Sequence, residues 1–246
     1  MVLLWIIGAT IVVSLIAFVG ALGLAVKTKL LNKILLILVG FSAGALMGGA
    51  FIHLIPEVIE GSSLSRVFLF VLFGFSLFFL IERALKWHHC HKGHCDVHTL
   101  GHMNLIGDAV HNFIDGLIIA AAFIVNIPFG VITTTAIISH EVPQEIGDFG
   151  VLVYGGFSKI KALILNFLSA LVAVVGAVAG YFLSAMIENF TSFLIPFAAG
   201  GFIYIAGADL IPELHKEPDF KKSIWSYGFF VIGIIFMYII KLIFGG

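Results

Sequence analysis

Long apolar runs, separated by short polar stretches, follow one another along the whole chain of 246 residues. A helix that crosses a membrane needs about 20 predominantly apolar residues. The pattern therefore predicts an all-α integral membrane protein with about eight transmembrane helices. The predicted spans are residues 2–26, 34–59, 66–86, 101–125, 128–154, 159–187, 192–214 and 223–244. Because the connections are short, we expect one transmembrane domain over residues 1–246 and no separate soluble domain.

The composition also indicates a protein that is embedded in a lipid bilayer. Hydrophobic residues make up 61% of the chain, charged residues only 11%, and the mean hydropathy is +1.15. Soluble domains contain about 45–50% apolar residues. The net charge of −1 favours no nucleic-acid partner. The first run has no basic stretch before it and is longer than a signal-peptide core of about 7–15 residues, so we interpret it as a retained span in the cell membrane.

Lysine and arginine residues fall almost entirely on one side of the predicted spans. Of the 13 basic residues, all except Arg66 and Lys241 lie in the connections that follow spans one, three, five and seven or at the span ends next to them. Basic residues are enriched in the cytoplasmic loops of membrane proteins. We therefore expect these four connections in the cytoplasm and both termini on the extracytoplasmic side.

Two segments of the chain resemble each other. Residues 44–57 read GALMGGAFIHLIPE and residues 200–213 read GGFIYIAGADLIPE, and the two align without a gap. The spans that contain them run in opposite directions, as in the inverted repeats that surround the substrate site of many transporters. We expect spans 1–3 and 6–8 to form such a repeat around spans 4 and 5, a 3+2+3 arrangement. Chance similarity between two glycine-rich helices is the alternative.

The two copies place ionisable residues near both ends of a path through the repeat. By the predicted direction of the spans, His53 and Glu57 lie toward the outer mouth. Asp209 and Glu213 lie toward the inner mouth. We interpret all four as candidate pathway residues.

The fourth and fifth predicted spans contain the densest set of polar residues. The fourth includes HNFIDG at residues 111–116, and the fifth includes HEVPQEIGD at residues 140–148. An ionisable group within a span costs about 2.5–3.5 kcal/mol on insertion scales, so these groups must face each other, water or an ion. Imidazole and carboxylate together suit divalent transition metals. The candidates are His111, Asn112, Asp115, His140, Glu141, Gln144 and Glu145, with Asp108 and Asp148 nearer the cytoplasm.

Helical spacing brings several of these candidates onto common faces. His111 and Asp115 are four residues apart and so share one face, as do His140 and Gln144. Pro143 removes a backbone donor within the fifth span and bends the helix. A membrane tolerates such a break where protein or a water-filled cavity satisfies the freed carbonyl, which favours a permeation path. The alternative is a buried polar network that only holds the helices together.

These motifs resemble those of the ZIP (Zrt/Irt-like) family of divalent metal transporters. The chain is most similar to the branch whose fourth span reads HNFxDG and whose fifth reads HExPHExGD. The resemblance extends to HLIPE in the second span, LNFLSA at residues 165–170 and DLIPE in the seventh span. It therefore covers most of the chain.

The resemblance implies a two-metal site at the membrane midplane and transport toward the cytoplasm. Its motifs assign one metal to His111, Asp115, His140 and Gln144. They assign the second to Asn112, Glu141 and Asn166, with Asp115 as a bridge, while Glu145 follows the motif but faces a neighbouring direction. The expected substrate is Zn²⁺, with Fe²⁺, Mn²⁺ and Cd²⁺ as alternatives. A homodimer is compatible with this interpretation.

Two positions depart from the branch pattern. Gln144 stands where that branch has a second histidine in HExPHE, and an amide oxygen is a harder ligand than imidazole, so a preference for zinc is less assured. Gly49 stands where that branch often has an aspartate, which removes one polar group from the path. Both departures concern which metal is carried rather than the family.

The connection after the third span is rich in soft and borderline metal ligands. Its sequence WHHCHKGHCDVH matches no closed zinc-finger spacing, so we interpret it as a flexible cytoplasmic collector or sensor of metal. A solvated loop with incidental histidines is the alternative. The candidate ligands are His88, His89, Cys90, His91, His94, Cys95 and His98.

Two other functions compete with transport. An intramembrane zinc protease would use HExxH, but HEVPQ has Gln144 in place of the second histidine. A metal sensor that does not transport is the other alternative. The chain contains no GxxxxGK[ST] motif for ATP hydrolysis. We therefore expect a transporter that works by alternating access and is not an enzyme.

Overall fold

The computed structural model describes residues 1–21, 28–59, 62–87 and 97–244, and over these residues it contains helices and no β-strand. In the first half, α1 runs over Val2–Leu15 and continues as a 3-10 helix over Ile16–Ala21, α2 comprises Thr28–Gly48, a π-helical turn over Gly49–Leu54 and Ile55–Ile59, α3 is Leu64–Trp87 and α4 is Val97–Val125. In the second half, α5 is Ile127–Tyr154, α6 comprises Lys159–Ala170 and Val172–Met186, α7 comprises Phe190–Tyr204, a π-helical turn over Ile205–Leu210 and Ile211–His215, and α8 is Phe220–Phe244.

Seven of these eight described helices are long and apolar enough to cross a membrane, and α5 is the exception. Three carboxylates interrupt the apolar sequence of α5, at Glu141, Glu145 and Asp148. Its 28 residues nevertheless span about 42 Å, more than the hydrocarbon core of about 30 Å. The prediction of an all-α integral membrane protein is confirmed.

The helices pack in pairs that correspond when spans 1–3 are exchanged with spans 6–8 and span 4 with span 5. α2 packs along α8 as α7 packs along α3, and α4 packs along α6 as α5 packs along the end of α1. Gly44 and Gly200, which align in the repeat, both allow a neighbouring backbone to approach. A Cβ at Gly44 would lie 1.9 Å from the Phe230 oxygen in α8, and one at Gly200 would lie 2.0 Å from the Val71 oxygen in α3. These matched contacts support the predicted inverted repeat.

The two aligned segments also contain a π-helical turn at the same position, while the 3+2+3 repeat itself stays a prediction. The turns Gly49–Leu54 and Ile205–Leu210 each precede an Ile-Pro-Glu sequence. Proline has no amide hydrogen to donate, so the regular helical ladder is interrupted at Pro56 and at Pro212. Such turns are frequent at functional sites. The turn of α2 contacts the central helix α5, and the turn of α7 contacts the first part of α2.

Apolar side chains fill the space between α2, α4, α5 and α7 toward the ends at which α2 and α4 terminate. The outer faces of α3 and α8 instead expose large apolar side chains, among them Leu72, Phe79, Ile235 and Leu242. Such surfaces are stable in contact with lipid tails, because the tails are as apolar as the side chains themselves. The polar residues are concentrated on the faces of α4 and α5 that meet.

Candidate metal centre

Four ionisable side chains on α4 and α5 direct their ligand atoms toward one point. His111 and Asp115 come from consecutive turns of α4, and His140 and Glu141 are neighbours in α5. One ligand atom from each lies within 4.8 Å of all the others. We call these four residues the four-ligand cluster.

The spacing of the cluster fits a tetrahedral metal site. His140 Nε2 lies 3.2 Å from Asp115 Oδ2 and 3.4 Å from Glu141 Oε1, and His111 Nε2 lies 3.6 Å and 3.3 Å from the same two oxygens. The two Nε2 atoms are 3.0 Å apart. Zinc ligands lie about 2.0–2.2 Å from the ion, so the edges of a tetrahedral site are about 3.3–3.6 Å long. Four of the five measured edges, from 3.2 to 3.6 Å, lie within or next to this range, and the edge of 3.0 Å between the two nitrogens is shorter.

The protonation of one ring follows from its backbone contact. His140 Nδ1 lies 3.3 Å from the carbonyl oxygen of Ala136, and because a carbonyl only accepts, this nitrogen carries the hydrogen. In the neutral ring, Nε2 then directs its lone pair into the cluster. This is the tautomer that a metal-binding histidine adopts when its other nitrogen is held by a backbone carbonyl.

The oxygens of the cluster have no other partner that explains their burial. Asp115 is 1% exposed and Glu141 is fully buried. Among the described residues, Asp115 Oδ2 and both oxygens of Glu141 receive no hydrogen bond from any group beyond the two imidazoles. Buried carboxylate oxygens that have only imidazole nitrogens beside them are costly, and a divalent cation would compensate both charges.

Three further carboxylates lie beside the cluster, and each is held by an amide. Asn112 Nδ2 donates to Asp108 Oδ1 at 2.8 Å, and Asn104 Nδ2 donates to Asp148 Oδ1 at 3.0 Å. Asn166, from α6, donates to Glu145 Oε2. The other carboxylate oxygen of each pair has no hydrogen-bond partner within the described part of the chain, and neither do Asn112 Oδ1 and Asn166 Oδ1. We call these the three acid–amide pairs.

A cavity of about 710 Å³ leads away from the cluster. His111 lines it, and so do Asp108, Gln144 and Asp148. It extends to Tyr154, the last residue of α5, which is 76% exposed. Its wall consists of the last turns of α3, α5 and α7 together with earlier parts of α2 and α4, so the cavity opens at the end of the bundle that carries Arg83, Lys159 and Lys216. We call this end the lysine-rich side.

The opposite side of the cluster is closed by apolar packing. The Phe202 ring in α7 lies 5.9 Å from the His140 ring and is fully buried. A Cβ at Gly49 would lie 3.2 Å from the Cβ of Ala136 and 3.7 Å from Phe202. α2, α5 and α7 are therefore in close contact here. The cluster is thus open toward the cavity and packed against apolar side chains on the opposite side.

The remaining candidates from the sequence occupy different positions. Gln144 is half-buried, lines the cavity and lies near the Asp108 carboxylate. The predicted division of ligands between two metals is not tested by this geometry and stays a prediction. However, Glu141, which the motif assigned to the second metal, lies with the residues assigned to the first.

The predicted pathway residues of the two aligned segments differ in burial and in the side of the cluster on which they lie. His53 is 5% exposed, and its Nε2 lies 2.8 Å from the carbonyl oxygen of Met237 in α8. Glu57 is exposed. Asp209 is exposed and lines the cavity, whereas Glu213 pairs with Lys216 at the surface. The residues of the second copy thus lie at the open side and His53 lies at the closed side.

Of the candidate ligands in the histidine-rich connection, all except one lie outside the described residues: His88, His89, Cys90, His91, His94 and Cys95. His98 lies in the first turn of α4. The functional proposal for this connection stays a prediction.

Three polar cavity residues were missed from the sequence, namely Asn104, Glu82 and Tyr204. Tyr204 in α7 donates a hydrogen bond to Glu82 in α3, and both line the cavity. Glu82 lies at the end of an apolar span beside Arg83, where a charged residue is ordinary. Only the contact between α3 and α7, which are far apart in sequence, identifies the pair as part of the cavity wall.

Known proteins resemble this chain over most of its length. A family model described as the ZIP zinc transporter matches residues 2–99 and 88–241. The zinc transporter zipt-7.1 of Caenorhabditis briggsae is 30% identical over 278 residues, which cover 84% of this chain and 71% of the relative. The zinc transporter ZIP13 homolog of Drosophila melanogaster is 29% identical, with 87% and 79% covered. The zinc transporter ZIP10 of Homo sapiens is 34% identical over 174 residues, but these are only 20% of its length.

Proposed function

The chain belongs to the ZIP zinc transporter family, and from that premise we propose that the four-ligand cluster is the site through which it carries a divalent transition metal, Zn²⁺ first, into the cytoplasm. One observation carries the proposal: four ligand atoms, three of them on buried residues and one on the half-buried His111, converge at the closed end of a cavity with spacing close to that of a tetrahedral site. A polar network that only held helices together would pair its oxygens with donors and would need no route to water. The family resemblance inferred from the motifs is confirmed.

The chain is a transporter and not an enzyme. A zinc protease of the HExxH type needs two histidines one turn apart and a glutamate that is free to act as a general base. In this chain Gln144 occupies the second histidine position. Glu141 Oε1 lies 3.3 Å from His111 Nε2 and 3.4 Å from His140 Nε2, which is the position of a metal ligand. Nothing therefore favours the protease alternative.

The donor set favours zinc among the candidate substrates. Two imidazole nitrogens and two carboxylates neutralise a dication, and imidazole suits Zn²⁺ and Fe²⁺ better than it suits Mn²⁺. Cd²⁺ is a further candidate. A second ion would lie near the unpartnered oxygens of Asn112, Glu145 and Asn166, so that each chain holds two metals during transport.

Transport toward the cytoplasm, which the family resemblance implies, gives the open side of the cluster a role in release. In alternating access, a site faces one side of the membrane at a time. The cavity leads to the lysine-rich side, which is cytoplasmic by the distribution of basic residues, with both termini outside the cell membrane. This conformation is then the one that releases metal. The outer route, past His53, opens when α2 moves away from α5 and Phe202.

Uptake of radioactive metal into liposomes tests the proposed function. Purified protein is reconstituted, and uptake of Zn²⁺, Fe²⁺, Mn²⁺ and Cd²⁺ is measured at several pH values against protein-free liposomes. We expect uptake that saturates with metal concentration. At low concentrations, Zn²⁺ should enter faster than the other three ions. If none of the four ions enters faster than in protein-free liposomes, the proposed function is wrong.

The orientation can be tested with the native cysteines. Cys90 and Cys95 are the only two cysteines of the chain and lie in the connection expected in the cytoplasm. A membrane-impermeant thiol reagent should leave intact cells unlabelled and should react after the membrane is opened. Labelling of intact cells would reverse the orientation and the direction of release.

A further inference from the structure

The helix that carries His140 and Glu141 has a break in its backbone hydrogen bonds next to those ligands. Pro143 lies inside α5 and has no amide hydrogen. In an α-helix, the residue at position 143 donates to the carbonyl of residue 139, so the carbonyl of Ser139 loses its usual donor. Ser139 directly precedes the two ligands.

A side chain from another helix supplies the missing donor. The hydroxyl of Ser42, in α2, donates a hydrogen bond to the carbonyl oxygen of Ser139. Ser42 is fully buried. A carbonyl without a donor would be costly at this half-buried position, so this bond removes the penalty that Pro143 creates.

The direction of the Ser42 hydroxyl is unlike that of neighbouring hydroxyls on α5. Thr134, Thr135 and Ser139 each donate to the carbonyl four residues earlier in their own helix. Serine and threonine in membrane helices commonly make such bonds within the helix. Ser42 instead reaches across to the one carbonyl in this part of α5 that a proline has left without its helical donor.

At two other interruptions of helices in the bundle, a side chain from a different helix also donates a hydrogen bond to a backbone carbonyl. Ser14 in α1 donates at 2.8 Å to the carbonyl of Ala170, where α6 is interrupted. Lys241 in α8 donates at 2.9 Å to the carbonyl of Ile52, which lies four residues before Pro56. Neither carbonyl is next to a residue of the four-ligand cluster. Ser14 therefore provides a matched control for Ser42.

We propose that Ser42 is a positioning residue for the metal site: its hydroxyl holds the proline break of α5 in the geometry that directs His140 and Glu141 toward the ion. This inference rests on the proposed function. The bond joins α2, which contains a π-helical turn, to the ligand turn of α5, so a movement of α2 is transmitted to the ligands. Ligands that are held in advance bind an ion more tightly than ligands that must be ordered by it.

A double-mutant cycle tests the role of the hydroxyl. Ser42→Ala removes the donor, whereas Pro143→Ala restores the amide hydrogen at position 143 and so satisfies the Ser139 carbonyl from within α5. In the native background, Ser42→Ala should raise the dissociation constant for Zn²⁺ and the apparent Michaelis constant by about tenfold. In the Pro143→Ala background, the same substitution should change both by less than about twofold, because the carbonyl already has a donor.

Two further variants separate positioning from simple loss of packing. Ser42→Thr keeps the hydroxyl and should retain affinity close to that of the native protein. Ser14→Ala loses an equivalent bond at a break away from the site and should leave the dissociation constant unchanged. Co²⁺ provides a second signal, because the intensity of its visible absorption reports tetrahedral coordination. We expect Ser42→Ala, but not Ser14→Ala, to reduce that intensity.

The outcomes distinguish this inference from the proposed function. If the native protein binds no divalent metal, the proposed function fails, and amide hydrogen exchange of residues 136–146 still tests the bond in the metal-free protein. Exchange there should be faster in Ser42→Ala and close to native in the double variant. Equal effects of Ser42→Ala in both backgrounds, on affinity or on exchange, would show that the hydroxyl does not serve the Ser139 carbonyl.

Discussion

The four-ligand cluster and the three acid–amide pairs are neighbouring sets of buried carboxylates that are built in different ways. In the cluster, Asp115 and Glu141 face two imidazole nitrogens and no amide. In the pairs, each carboxylate has one oxygen held by an asparagine and one oxygen without a partner. Among the His, Cys, Asp and Glu side chains of the described residues, the four members of the cluster are the group of three or more whose ligand atoms converge closely enough to hold one ion.

This difference assigns the two sets to different steps of transport. A metal that leaves water must exchange its hydration shell for ligands, and four converging donors replace that shell at once. A carboxylate that already accepts an amide hydrogen bond offers one oxygen and holds an ion less tightly. Transport requires tight enough binding to select the ion and weak enough binding to release it. We therefore expect the cluster to select the metal and the pairs to conduct it toward the cavity.

The largest effect should follow removal of a ligand from the cluster. His140→Ala leaves Asp115 and Glu141 with one imidazole between them, and it replaces a metal–nitrogen bond with water or a void. Binding and uptake of Zn²⁺ should fall below detection, while the protein still folds and inserts into the membrane. Isothermal calorimetry and liposome uptake measure the two quantities.

The matched control for that prediction is another histidine of the same chain. His215 lies at the end of α7 and is exposed, so His215→Ala should bind and transport Zn²⁺ like the native protein. Normal uptake by His140→Ala at equal protein density would remove the cluster from the transport path, and the comparison with the pairs would lose its basis.

Most of the fold could be predicted from the sequence, because an apolar run of fixed length is a direct consequence of the bilayer. The polar residues of α4 and α5 could also be predicted, since buried ionisable groups must meet each other or an ion. Which of these residues meet at one point could not be predicted. Spacing on an ideal helix puts His140 and Gln144 on one face, but Pro143 lies between them and interrupts the ladder. In the folded chain, Glu141 lies in the cluster and Gln144 lines the cavity.

The backbone features could not be predicted for a related reason. The π-helical turns of α2 and α7 depend on how the backbone rearranges before Pro56 and Pro212, and on contacts with distant helices. The donors that complete the breaks, such as Ser42 and Lys241, come from residues far away in the sequence. A single sequence contains no local signal for such a partner.

A smaller effect should follow neutralisation of one acid–amide pair. Asp148→Asn keeps the size of the side chain and removes its charge from the cavity wall. The maximal rate of uptake should fall by about tenfold, which corresponds to about 1.4 kcal/mol in the barrier to release. The dissociation constant at the cluster should change much less than the rate, because the four ligands remain.

Glu217→Gln is the control for this substitution, since Glu217 pairs with Lys222 near the surface and does not line the cavity. Its uptake kinetics should match those of the native protein. If Asp148→Asn weakened binding as strongly as His140→Ala does, the pairs and the cluster would act as one site, and the division into selection and conduction would be wrong.

Gln144→His should strengthen metal binding at the four-ligand cluster and slow release past the acid–amide pairs. The new imidazole would lie on the cavity side of the cluster, near Asp108, and would add a nitrogen ligand for Zn²⁺. If it adds about 1.4 kcal/mol of binding, the dissociation constant decreases about tenfold. The apparent Michaelis constant for Zn²⁺ and the maximal rate should both decrease, and Mn²⁺ should compete less well. Competition uptake with unchanged metal ranking and unchanged kinetics would place Gln144 away from the ion.

The smallest effect should come from the histidine-rich connection. The cluster is complete without it, because all four ligands come from α4 and α5, and each of the residues that line the cavity lies in one of the described helices.

Serine at the six positions His88, His89, Cys90, His91, His94 and Cys95 keeps the length of the connection and removes its metal ligands. Initial rates of Zn²⁺ uptake should stay within about twofold of native, since no ligand at the point of selection has changed. The response to a high internal metal concentration should change instead, which preloaded liposomes can measure. Loss of initial uptake in a correctly inserted variant would mean that metal passes through this connection before release, and that conduction extends beyond the acid–amide pairs.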